Sequence, residues 1–128
     1  MKNKILQITL LLFTIILILT SCKADIERIT ITNSDVKVDE AGEKYAVVYL
    51  DENSEATYKI EYEIYPKRAS DNEVEFKYNK NTPHVTVDED GTVKFTSVTA
   101  LSVTVTSKEC TDYVRDDTIL IIAKYKNN

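Results

Sequence analysis

The sequence predicts an all-β domain, an antiparallel sandwich of about seven to nine short strands. Three observations predict it. Apolar and polar residues alternate with a period of two in one segment after another. Clusters of Asn, Asp and Ser separate those segments at short intervals. Beyond residue 22 no stretch carries the 3.6-residue period of an amphipathic helix.

Taken in order, Ile29 and Ile31 alternate with Thr30 and Thr32, and Val36 and Val38 flank Lys37. Tyr58, Ile60, Tyr62 and Ile64 point one way in a single long segment, with Lys59, Glu61 and Glu63 opposite. Val74, Phe76 and Tyr78 alternate with Glu75 and Lys77. Val85 and Val87 flank Thr86, Val93 and Phe95 flank Lys94, and Leu101, Val103 and Val105 alternate with Ser102 and Thr104. Residues 45–50 and 118–123 are instead nearly continuous apolar runs, which suit strands covered on both sides or strands with a sticky outer face. Turn clusters fall at residues 33–35, 39–43, 51–54, 69–72, 79–82 and 88–91. With only two glycines in the chain, Asn and Asp supply most of the turn chemistry. Asp90-Gly91 between Val87 and Val93 is the strongest hairpin signal.

The N-terminus reads differently. Met-Lys-Asn-Lys opens the chain, residues 5–19 are mostly apolar, and Thr20-Ser21-Cys22 follows. A positive start, an apolar stretch and a small-residue exit make a secretory signal peptide. The apolar stretch is short for a spanning helix, which needs about 20 residues. Leu19-Thr20-Ser21-Cys22 resembles the lipobox of bacterial lipoproteins. The resemblance implies a leader cut after residue 21 and a diacylglycerol on the Cys22 thiol. The expected organisation is a signal peptide over residues 1–21, a lipidated Cys22 with a short tether over 22–28, and one β domain over 29–125. An uncleaved anchor helix is the alternative. Either arrangement sets the domain outside the cytoplasm, beside a membrane of the cell envelope.

Removing the leader leaves about 100 residues, enough for one core and no second domain. The leader carries Lys2 and Lys4 and no acid, so the formal charge of −5 for the whole chain becomes −7 from Cys22 onward. That balance disfavours nucleic acid and anionic headgroups as partners, since phosphate contacts need Lys and Arg. No basic run stands ready to press on a membrane. With Cys22 lipidated, Cys110 has no partner and is read as an inert thiol.

The middle of the chain resembles the bacterial immunoglobulin-like domain of group 2. Tyr58 to Tyr65 followed by Pro66, with Ala69 beyond, is similar to a strand of that family ending in proline. Val74-Glu75-Phe76-Lys77-Tyr78 is similar to the next strand, with Phe76 where the family usually has tryptophan. Val85-Thr86-Val87-Asp88-Glu89-Asp90-Gly91-Thr92-Val93 is similar to its valine hairpin, and residues 101–106 to the strand after it. Thr99-Ala100 replace a customary glycine, and residues 35–51 exceed the family pattern, leaving room for an added hairpin. The resemblance implies an Ig-like sandwich, a surface module for spacing or adhesion, and no catalytic residues.

The chemistry agrees with that implication. His84, the only histidine, follows Pro83 in a loop and is read as solvated. No zinc spacing, phosphate loop or nucleophile elbow occurs, and no cofactor is expected. Asp88 and Asp90 form a D-x-D-G fragment that is a weak candidate for calcium, but the later ligand glutamate is missing and a hairpin turn is the plainer reading. Of eight tyrosines, Tyr58 and Tyr62 are assigned to the core; Tyr45, Tyr49, Tyr65, Tyr113 and Tyr125 stay open. An exposed set would suit a carbohydrate or a protein. The expectation is a monomeric, non-enzymatic surface lipoprotein acting as an adhesion, ligand-binding or spacer module. The alternatives are an accessory or inhibitory subunit of an envelope enzyme or transporter and, remotely, a small hydrolase.

Overall fold

A computed structural model describes residues 26–66, 73–108 and 114–126. The leader, Cys22, Ala69, Cys110 and Tyr113 lie outside the described residues. Ten strands run through the rest: β1 Arg28–Ile31, β2 Lys37–Val38, β3 Lys44–Tyr49, β4 Ala56–Lys59, β5 Tyr62–Tyr65, β6 Val74–Lys77, β7 Val85–Val87, β8 Thr92–Phe95, β9 Thr99–Ser107 and β10 Asp117–Lys124. One layer is a five-stranded sheet in the order β2-β3-β10-β9-β6; the other is built from β4-β8-β7 and the pair β1-β5. Ile29, Ile31, Ile60, Phe95, Val103, Ile119 and Ile121 are buried between them. All but Ile119 and Ile121, which lie in the continuous apolar run of residues 118–123, are inward positions that the two-residue period marks. The result is the all-β, Ig-like sandwich that the sequence predicts.

Four details differ. The strand count is ten, because the long segment around residue 60 divides and residues 35–51 do add a hairpin, β2–β3. Val38 is 62% exposed, since β2 is a two-residue edge with no neighbour beyond it. β9 runs on to Ser107, held by pairing with β6. Finally, β10 pairs with β9 antiparallel but with β3 parallel. Parallel neighbours need a long crossover; here six strands, β4 to β9, intervene in sequence between β3 and β10. These two strands carry the continuous apolar runs.

The division of residues 56–65 shows how one period-two segment serves two sheets. β4 pairs with β8 and β5 pairs with β1. At the break, Asn33 from the β1–β2 loop completes the ladder. Its Nδ2 donates to the Lys59 carbonyl (2.8 Å) and its Oδ1 accepts from the Glu61 N–H (2.7 Å). Alternation continues across the break, with Tyr58 and Ile60 buried and Glu61 and Glu63 exposed. Asn33→Ala should lower stability by about 1–2 kcal/mol, two hydrogen bonds' worth, as measured by urea denaturation. An unchanged midpoint would show that water replaces the amide at no cost.

Candidate functional site

β6 ends the five-stranded sheet and β7 ends the three-stranded one, so the sandwich is open between them. The opening is a groove of about 690 Å³. Its floor is aromatic and aliphatic: Tyr62, Val74, Phe76, Tyr78 and Val87, all half-buried. The Tyr62 and Phe76 rings meet edge to face, 5.9 Å apart at 70°, an arrangement that suits their quadrupoles. The rim is mainly acidic, with Glu73, Glu75, Asp88, Glu89 and Asp90 beside Lys80 and Lys108, and most of the acids are paired with lysines. Lys108 lies 3.7 Å from Glu73 and Lys94 lies 3.7 Å from Asp88. Such a groove can take an elongated ligand with an apolar face and polar edges.

The β7–β8 turn forms one wall. The Asp88 N–H donates to the Thr92 carbonyl (2.9 Å) and the Gly91 N–H to the Asp88 carbonyl (3.0 Å), with Gly91 at φ 88°. This is a three-residue hairpin loop with its last loop residue left-handed. The pattern recurs at residues 39–43 with Gly42 and at residues 51–55 with Ser54. Each copy begins Asp-Glu, and in the latter two the aspartate Oδ1 accepts two backbone N–H groups.

The structure places the calcium candidates in that turn and engages both. Lys59 Nζ reaches Asp90 Oδ2 at 3.1 Å and donates to the Asp90 carbonyl at 2.6 Å. Asp117, the first residue of β10, pairs instead with Lys44. The Thr92 hydroxyl, then the Thr92 N–H at 3.0 Å, then Lys59 pull the Asp90 carboxyl down to about 2. A depressed carboxyl stabilises the fold above its ordinary 3.8 and loses that contribution as pH falls toward 2. The melting-temperature gap between the wild type and Asp90→Asn should therefore be constant above pH 5 and close between pH 4 and 2. A gap independent of pH would refute the assignment.

The other singled-out residues disperse. His84 is exposed at φ 63°, and its carbonyl accepts from the Thr96 N–H. Tyr58 is buried and donates to Asp35 Oδ1 (2.9 Å); burial first, then that bond, holds its phenol well above the ordinary value. Tyr62 floors the groove. Tyr49, Tyr65 and Tyr125 are more than half exposed, and Tyr65 carries the Arg28 guanidinium 4.6 Å above its ring. The groove was not legible in the sequence. Alternation marks Val74, Phe76 and Val87 as facing inward, but nothing local says that β6 and β7 end their sheets.

A comparison with the curated proteins finds no match. Among family models, that of the bacterial Ig-like domain (group 2) matches residues 52–117, just over half of the chain. The match starts in the turn before β4, ends at the first residue of β10 and takes in both walls of the groove. The added β2–β3 hairpin precedes it, as expected from the excess length of residues 35–51. With the sandwich, the valine hairpin at Asp90-Gly91 and the family model in agreement, the chain belongs to the bacterial Ig-like domain family, group 2.

Proposed function

We propose that the mature protein is a lipid-anchored display module: Cys22 carries the anchor, and the Ig-like domain holds a ligand-binding groove at the cell surface. Domains of this family are non-catalytic surface or adhesion-type modules, commonly extracellular. The observation that carries the anchored reading is Leu19-Thr20-Ser21-Cys22 at the end of a signal-type apolar stretch. Ile26 is already buried, and β1 begins at Arg28. Only residues 23–25 separate Cys22 from the first described residue, so an anchor at Cys22 would keep the domain close to the membrane. Labelled palmitate should enter the wild type and not Cys22→Ala, and the wild type should be cleaved by protease added to intact cells. Equal labelling of both forms, or none, would end the anchored reading.

A second reading, an accessory subunit docking on an envelope enzyme or transporter, draws on the same groove, because it lies between two unpaired sheet edges that a partner strand can extend. A single stoichiometric partner recovered from membranes, and lost with Phe76→Lys, would favour it over a general adhesin.

A further inference from the structure

The two outer faces of the sandwich differ in kind. Outward positions of a sandwich are ordinarily polar, and on the three-stranded layer they are: Thr57, Lys94 and Thr86 stand side by side and exposed. The five-stranded layer breaks the rule. Lys37, Tyr45, Leu120 and Ser102 form one cross-strand row; Val47, Ile122 and Ala100 form the next; Tyr49 and Lys124 form the third. Leu120 is 38% exposed and Tyr49 52%. Lys124 Nζ sits 5.9 Å over the Tyr49 ring. No acid stands in these rows. Further along the face, Glu75 lies 3.6 Å from Lys77, and other carboxylates gather in the loops at the two ends of β3. On a mature chain of charge −7, this is an apolar face that carries Lys37 and Lys124 and keeps its carboxylates to the loops at the ends of β3 and to the Glu75–Lys77 pair.

We propose that this face is a membrane-contact surface, laid on the anionic bilayer to which the protein is anchored. Two observations choose that occupant. Aliphatic residues, tyrosines and lysines on one face are the composition of an interfacial element, whose binding adds apolar burial to attraction for anionic lipid. The tether also leaves the fold beside this sheet. β1 is bridged to the approach of β10 through Arg28 and Arg115, and the Ile29 N–H donates to the Arg115 carbonyl (2.9 Å). β10 is the strand that carries Leu120 and Ile122. The four steps from Cys22 to Ile26 reach about 14 Å at full extension, which keeps the domain within reach of the lipid. A second copy of the chain is the weaker occupant, because it brings the lysines together. The anchored domain then lies flat, with the three-stranded layer turned away from the membrane.

This inference rests on the lipid-anchor reading, and the test separates the two. The chain has no tryptophan, so Leu120→Trp and Thr86→Trp each introduce a single fluorophore on opposite faces. Each protein is expressed as the full chain, purified from membranes and placed in vesicles of phosphatidylcholine, with or without phosphatidylglycerol, with brominated acyl chains. The probe at position 120 should be quenched in anionic vesicles and the probe at 86 should not. Adding Lys37→Ala and Lys124→Ala should shift the docked population roughly 30-fold toward undocked. Flotation with vesicles but no quenching at 120 overturns the docking and leaves the anchor standing. No flotation overturns both. Shielding of position 120 from aqueous iodide that grows with protein density, without quenching by lipid, overturns it in favour of a second copy.

Discussion

Gly91→Ala is expected to lower the melting temperature by about 10–20 °C, corresponding to about 2–4 kcal/mol for a domain of this size. Two costs add. At φ 88° an L-residue is strained by about 1–2 kcal/mol. A Cβ placed there also falls 2.6 Å from Phe76 Cζ and 2.9 Å from its Cε1, so the ring must leave the groove floor or the turn must open. Opening is costly because the Gly91 carbonyl accepts the Ile60 N–H (3.0 Å), which helps hold the break between β4 and β5. The check is a double-mutant cycle with Phe76→Leu. If the ring is the obstacle, the double variant is more stable than the sum of the singles by about 1 kcal/mol. Additive effects would leave backbone strain as the only cause.

Asp117→Ala is expected to cost about 2–4 kcal/mol. Its Oδ2 accepts from Lys44 Nζ at 2.5 Å and from the Ile31 N–H at 2.7 Å, while Lys44 Nζ also lies 3.4 Å from the Ile31 carbonyl. One carboxylate thus joins the end of β1 to the starts of β3 and β10 and ties the two layers together. The two side chains are only 19% and 26% exposed. Losing the acid strands an ammonium and a backbone donor with little access to water. Lys44→Met combined with Asp117→Asn should recover much of the loss, since removing both charges is cheaper than leaving one. A urea midpoint for Asp117→Ala within error of the wild type would show the bridge to be peripheral.

Much of the fold was legible because a half-buried strand writes its inward face into every second residue. Ile29 and Ile31, Val93 and Phe95, and Leu101 to Val105 all fall where the alternation puts them. The Asp90-Gly91 hairpin was legible because a left-handed turn position selects its residue locally. The break after β4 was not. Ile60 and Tyr62 keep the same period on both sides of it, and the groups that bridge it come from Asn33 and Gly91, both far away in sequence. The apolar runs in β3 and β10 signalled either double cover or a sticky outer face; the strand order shows the outer face to be open.

From sequence came the strands, the turns, the lipobox resemblance at Cys22 and the absence of a recognisable catalytic motif, all properties of neighbours along the chain. Tertiary structure decided which strands became edges, and so where the groove between β6 and β7 opens. It also gathered Lys37, Tyr45, Tyr49, Leu120 and Lys124 on one face of a chain whose overall charge argues against any basic surface. Net charge is a sum, and a sum carries no positions. Pairing β3 parallel to β10 across six intervening strands sets Tyr45, Tyr49, Leu120 and Lys124 on one face, and no local pattern encodes that pairing.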